Sequence, residues 1–133
     1  MTRRGSQTRA ASSADALGYL AKAKEFLRAA GDSLELGNNT AATGNATHAG
    51  INAADAIAAL RAGAVWRGEH DQAATYLERT GNDGRQAARH LRRLLPLKSR
   101  AEYDPGPIGR ADARTAVTAA ERLVAIAERV VAT

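Results

Sequence analysis

Along the chain the apolar positions recur at intervals of three and four rather than two, the period of one helix face. Ala16, Leu20, Ala23, Leu27 and Ala30 form a first stripe, with Tyr19 and Phe26 beside it and Lys22, Lys24 and Glu25 on the polar side. Ser13 is the expected N-cap, Asp15 lies near the positive end of the helix dipole, and Gly31 is the expected stop. After Gly37-Asn38-Asn39-Thr40 a second stripe runs through Ala42, Ala46, Ala49, Ala53, Ile57 and Leu60 and closes at Gly63. Glu69, His70 and Asp71 open a short third helix carrying Ala73, Ala74 and Leu77, and Gly81-Asn82-Asp83-Gly84 reads as a turn. A fourth helix points Ala87, Ala88, Leu91, Leu94 and Leu95 inward, with Pro96 in its frayed end. Residues 98–109 read as the longest loop, stiffened by Pro105 and Pro107. The last helix has the cleanest spacing, through Ala113, Ala116, Ala120, Leu123, Ala127 and Val130. Residues 1–12 carry no period and are expected to be a disordered basic tail. Residues 13–133 are expected to be one all-α domain, an up-and-down bundle of four to five helices.

Composition narrows the core. Hydrophobic residues make up 44% of the 133, but 32 of them are alanine and aromatics are only 4%. Leu, Val and Ile must therefore wedge between closely spaced, Ala-faced helices, and an all-β design lacks its pleat-filling residues. The net charge of +5 permits an anionic partner without requiring one. The absence of cysteine excludes disulfides, zinc–thiolate sites and Cys nucleophiles. No apolar run is long enough for a membrane span, so no membrane partner is expected. Arg3, Arg4 and Arg9 come with no apolar h-region, so the start is not expected to be a secretory signal; an organelle transit peptide is the lesser reading. The Ala-Arg-Gly bias fits a GC-rich bacterial gene and a cytoplasmic protein.

Three clusters could carry chemistry. Between Gly84 and Ala101 lie Arg85, Arg89, Arg92, Arg93, Lys98, Arg100 and His90 with no acid. Such a stripe suits phosphate oxygens, and it also suits the plain solvated side of an amphipathic helix. Lys98-Ser99-Arg100-Ala101-Glu102-Tyr103-Asp104 is denser in functional groups than a connector needs. His48, Asn52 and Asp55 fall at i, i+4 and i+7 and either line a polar cleft or form a hydrogen-bonded stripe at a helix or subunit boundary. His70 joins them as a cleft candidate or as a helix cap. No metal-ligand spacing, nucleophile elbow or Gly-rich phosphate loop is present, so neither metal nor cofactor is expected.

The order of these pieces resembles the HEPN family (higher eukaryotes and prokaryotes nucleotide-binding domain) over roughly residues 13–131. Ile51-Asn52-Ala53-Ala54-Asp55-Ala56-Ile57 looks like the family's second-helix segment. Gly68-Glu69-His70 followed by Leu77 looks like its Gly…His start of the next helix, and Lys98 to Asp104 looks like its loop before the last helix. The resemblance implies a helical bundle that usually dimerises. Many members are ribonucleases, often toxins, with an Arg-x4-6-His motif; others pair with a small nucleotidyltransferase. Carried over, Lys98 takes the Arg place, Ser99 the polar place and Tyr103 the His place. Lys lacks the bidentate fork, and Tyr, with an ordinary pKa near ~10, is a poor acid–base group at neutral pH. The resemblance thus implies a variant branch. A literal Arg-x4-His runs from Arg85 to His90, but on a regular helix these point ~140° apart and lie one element too early.

The expected function is a non-catalytic, HEPN-like binding module in a toxin–antitoxin or nucleotidyltransferase-linked system. It would self-associate as a homodimer and meet nucleotide or RNA phosphate through Lys98, Ser99, Arg100, Tyr103, Arg89 and Arg92. Two rivals stand beside it: a metal-independent endoribonuclease with His90 or His70 as base, and a small oligomerising scaffold without ligand.

Overall fold

The computed structural model describes residues 7–133. Its helices are α1 (Ser13–Glu35), α2 (Asn39–Ala62), α3 (Ala73–Glu78), α4 (Asn82–Tyr103) and α5 (Arg110–Ala132). Two three-residue strands, β1 (Thr8–Ala10) and β2 (Ala64–Trp66), and a 3-10 turn at His70–Gln72 complete the order. The chain is an all-α helical bundle with one small two-stranded antiparallel sheet.

α1 starts one residue earlier than expected. Ser12 is the cap: its Oγ accepts the Asp15 N–H at 3.1 Å while the Asp15 carboxylate accepts the Ser12 N–H at 2.8 Å, a closed capping box. The helix also runs through Gly31 to Glu35, because Leu34 still packs on the core. The stop is at Gly37, whose φ of 79° only glycine adopts freely, with the Asn38 N–H returning to the Ser33 carbonyl.

α2 is the central element. It packs against α1, α4, α5, α3 and β2. Its buried side chains are mostly alanine, so helix axes can approach closely on several sides at once. Gly63 ends it in the left-handed conformation, as the pattern predicts. That turn sends β2 back along the bundle, where Val65 is fully buried beside Ala16, Ala58 and Ala59.

β1 corrects the expected tail. Thr8, Arg9 and Ala10 pair antiparallel with Trp66, Val65 and Ala64, and the Arg67 N–H donates to the Gln7 carbonyl at 2.7 Å. A three-residue strand has no period to read, so pairing with a distant partner was invisible locally. Arg3 and Arg4 of the same expected tail lie outside the described residues.

α4 corrects the expected loop. The helix begins at Asn82, inside the expected turn, and does not stop near Pro96. It runs to Tyr103, with Pro96 on its exposed side and Leu97 buried. Only 104–109 is loop, pinned by buried Ile108. α4 and α5 are antiparallel: Arg100 meets Asp112 at one end, and Arg129 reaches Gln86 at the other.

The α3–α4 junction depends on Gly84. A Cβ there would stand 2.1 Å from the Leu77 carbonyl oxygen, a backbone atom that cannot rotate away. Gly84→Ala is expected to destabilise the fold by roughly 1–3 kcal/mol through overpacking. Urea unfolding followed by circular dichroism measures it, and an unchanged midpoint would mean that α3 is not packed this closely.

Candidate functional site

Two concave surfaces carry the functional side chains, on opposite sides of α4. The first lies between α4 and α5. Arg85, Arg89 and Arg93 recur at i, i+4 and i+8 on α4, and Arg114, Thr118 and Arg122 recur at the same interval on α5. One section, of about 320 Å³, is bounded by His90, Arg93, Arg114, Thr115, Thr118 and Arg122. The next, of about 410 Å³, shares His90 and adds Asn82, Arg85, Gln86 and Arg89. No acid lines either section. Among the described residues Arg89, Arg93, Arg114 and Arg122 make no ion pair and no hydrogen bond. His90 is half-buried among them. Burial first, then the charges of Arg89, Arg122 and Arg93, hold its pKa below the usual histidine value. The result is an imidazole whose charged form is disfavoured, in a trough of guanidinium groups without carboxylate partners.

The second concavity, of about 370 Å³, lies between α2, β2 and α3. Asp55 is its buried acid, 8% exposed and ion-paired with Arg67 at 3.1 Å. The Arg67 guanidinium also donates to the Trp66 carbonyl at 2.8 Å and to the Tyr19 hydroxyl at 3.2 Å, and lies over the Tyr19 ring. Trp66 and Tyr76 form an aromatic wall with ring centroids 5.5 Å apart. The Trp66 indole N–H donates to the Glu69 carbonyl, and the Tyr76 hydroxyl to the Ala64 carbonyl. Burial pushes the Asp55 pKa up to about 6, against the pull of Arg67. Burial, then the Asp55 charge, also raises that of Tyr76.

The sequence of this chain matches no family model and no curated protein.

The residues expected from sequence to share one phosphate site do not converge. Lys98 is only 12% exposed at its side chain and pairs with Glu102 at 3.0 Å. That hydrogen bond, with smaller help from the Lys98 and His48 charges, holds the Glu102 carboxyl below the usual range. Arg100 pairs with Asp112 at 2.9 Å, and Arg92 with Glu78 at 3.2 Å. Ser99 borders a shallow hollow with His70, Asp71 and Arg92. Tyr103 is 76% exposed. The reason is geometric: residues read as a loop continue α4, so successive side chains fan around its axis. Of the six, Arg89 alone faces the unneutralised trough.

The expected polar cleft is half assembled. Asp55 and His70 line the second concavity. His48 instead packs against the Phe26 ring at 5.2 Å, and its carbonyl accepts the Asn52 side-chain amide at 2.9 Å. Arg85 and His90 border the same open section, with Arg85 tied to Asn82 rather than to the imidazole. Sequence reasoning does not single out Arg114, Thr118 and Arg122, although their four-residue period on α5 is the signal that marks them. Nor does it single out Arg67, which only the turn at Gly63 returns to Asp55. Among the described residues no group of three His, Cys, Asp or Glu is placed to hold a metal ion.

Asp55 has a consequence for stability. Its folded pKa of about 6 lies above the ordinary 3.8, so the folded state holds this proton more tightly than the unfolded chain. The ionised form is therefore a cost, and stability from this group falls as pH rises through the window from about 4 to about 6. Asp55→Asn mimics the protonated form. Its urea midpoint relative to the parent is expected to climb between about pH 4 and about pH 7. A difference that shrinks over that range would contradict the assignment.

Proposed function

We propose that this chain is a HEPN-type helical module that binds RNA or nucleotide phosphate without cleaving it, along the α4–α5 trough. The reading includes self-association and a role in a toxin–antitoxin or nucleotidyltransferase-linked system, as the sequence resemblance implies. The observation that carries the binding claim is the partition of charge. Lys98, Arg100 and Arg92 are each neutralised by a carboxylate, whereas Arg89, Arg93, Arg114 and Arg122 face one trough with no acid in it. Bringing four guanidinium groups together costs repulsion, and phosphate oxygens relieve it. Two rows at the same helical interval offer successive phosphates a continuous track. The non-catalytic part rests on the resemblance, in which Lys98 and Tyr103 stand where Arg and His would; Lys98 is engaged with Glu102, and Tyr103 is exposed and lines neither section of the trough.

A second reading has one observation in its favour. His90 sits among arginines, and burial and their charges hold its pKa below the usual histidine value. A neutral imidazole can take the proton of a ribose 2′-hydroxyl, while guanidinium groups stabilise the charged phosphorane that follows. Metal-independent endoribonuclease activity centred on His90 is therefore the alternative to simple binding.

One experiment addresses both. Binding of a fluorescent single-stranded RNA is followed by anisotropy across a salt series, with the RNA checked for cleavage after each titration. Affinity is expected to fall steeply with salt. Each of Arg89→Gln, Arg93→Gln and Arg122→Gln should reduce the log–log salt slope by about 1, whereas Lys98→Gln and Arg100→Gln should leave it unchanged. Intact RNA supports the binding reading; cleavage lost in His90→Ala promotes the enzyme. No binding at low salt, or slopes insensitive to the trough variants, contradicts the proposal.

A further inference from the structure

The α4–α5 trough leaves the second concavity unexplained. Leu91 lines this cleft, while its chain neighbour His90 lines the trough, so the body of α4 separates the two. The cleft volume of about 370 Å³ falls in the range of small-ligand sites. Its interior is apolar, formed by Ile51, Ala54, Ala58, Leu77 and Leu91, with Trp66 and Tyr76 as aromatic wall. At one side stands the Asp55–Arg67 pair.

That pair has a definite hydrogen-bonding pattern. Arg67 reaches only Oδ2 of Asp55; Oδ1 accepts no hydrogen bond among the described residues. Of the five guanidinium N–H donors, three are used, on Asp55, the Trp66 carbonyl and the Tyr19 hydroxyl. The others remain open. Arg67 is held from several sides, so its open Nε–H and second Nη2–H are fixed on the same guanidinium whose Nη1 pairs with Asp55 Oδ2. An anionic ligand would gain from Arg67 and be repelled by Asp55. A cationic ligand would face the reverse. A neutral group with N–H next to C=O satisfies both without adding charge to a half-buried site.

We propose that this cleft binds a neutral cyclic amide, a planar heterocycle of one or two rings carrying N–H beside C=O. The N–H donates to Asp55, the carbonyl accepts from Arg67, and the ring lies against Trp66 and the apolar floor. The inference stands apart from the phosphate reading, because it uses none of the trough residues and its ligand needs no phosphate.

Trp66 is the single tryptophan of the chain, so its indole N–H gives one identifiable side-chain signal in nitrogen–proton NMR spectra. Near neutral pH, pyridone, benzoate and benzylammonium are titrated in parallel into the intact protein. Pyridone is expected to shift that signal saturably, with a dissociation constant at least about tenfold below those of the two charged rings. Ala54→Leu, which fills the cleft with an apolar side chain, should abolish the pyridone response while the rest of the spectrum stays dispersed. Inorganic phosphate in the same sample should leave the Trp66 signal in place, whether or not it moves His90, which keeps this outcome separate from the trough. A charged ring binding as well as pyridone, no saturable shift with any of the three, or an undiminished response in a folded Ala54→Leu protein would overturn the proposal.

Discussion

Everything in this bundle hangs on how closely other helices can approach α2. Of its 24 residues, 13 are buried, so the helix has no broad solvent face and must meet neighbours on several sides. Alanine makes that feasible, since a methyl group fills a helix–helix contact without pushing the axes apart. The larger side chains come from outside: Leu91 and Leu94 from α4, Leu123 from α5. At Gly50 an added methyl would lie 2.3 Å from a Leu94 methyl, so the buried Leu94 side chain would have to shift to admit it. Fixing α2 this tightly fixes what it carries. Asp55 is held on a rigid helix, and the Gly63 turn returns Arg67 to it.

The distribution of charge follows from the same packing. α4 is a continuous helix from Asn82 to Tyr103, so its seven basic or imidazole side chains are spread around the axis instead of gathered in a loop. Arg92 on the α3 side finds Glu78, Arg100 at the C-terminal end finds Asp112, and Lys98 finds Glu102 one turn on in α4. Those on the α5 side find more arginine. The antiparallel α4–α5 hairpin sets two arginine rows in neighbouring positions, and no acid of α5 lines the sections between them. Like charges are thereby concentrated around a half-buried histidine, and the field they sum to is positive.

Much of the architecture was legible in the residues. The three-four spacing through Ala42, Ala46, Ala49, Ala53 and Ile57, and through Ala113 to Val130, located α2 and α5 nearly to their ends. Gly63 was correctly a stop, because its left-handed conformation is what a following strand requires. Gly31 and Pro96 were misleading for one reason: tertiary packing of Leu34 and Leu97 outweighs local breaking tendency. β1 was illegible, since three residues hold no period and the partner lies more than fifty positions away. For the sites, sequence named the chemistry better than the geometry. Of the residues it singles out, Asp55 and His70 border one concave surface and Arg89 another. Lys98, Arg100 and Tyr103 share one corner only if residues 98–103 are a loop, and these residues are the last turns of α4. Arg122 beside His90, and Arg67 beside Asp55, are contacts between elements, which no reading along a single helix supplies.

The most direct measurement is a residue-level map of RNA contact on the folded protein, from the backbone NMR signals of the intact chain as a short single-stranded RNA is added at low salt. The account predicts that the perturbed signals cluster at Arg85, Arg89, His90 and Arg93 on α4 and at Arg114, Thr118 and Arg122 on α5, leaving residues 98–103 nearly still. Perturbations centred on Lys98 to Tyr103, or scattered evenly over every lysine and arginine of the surface, would contradict it.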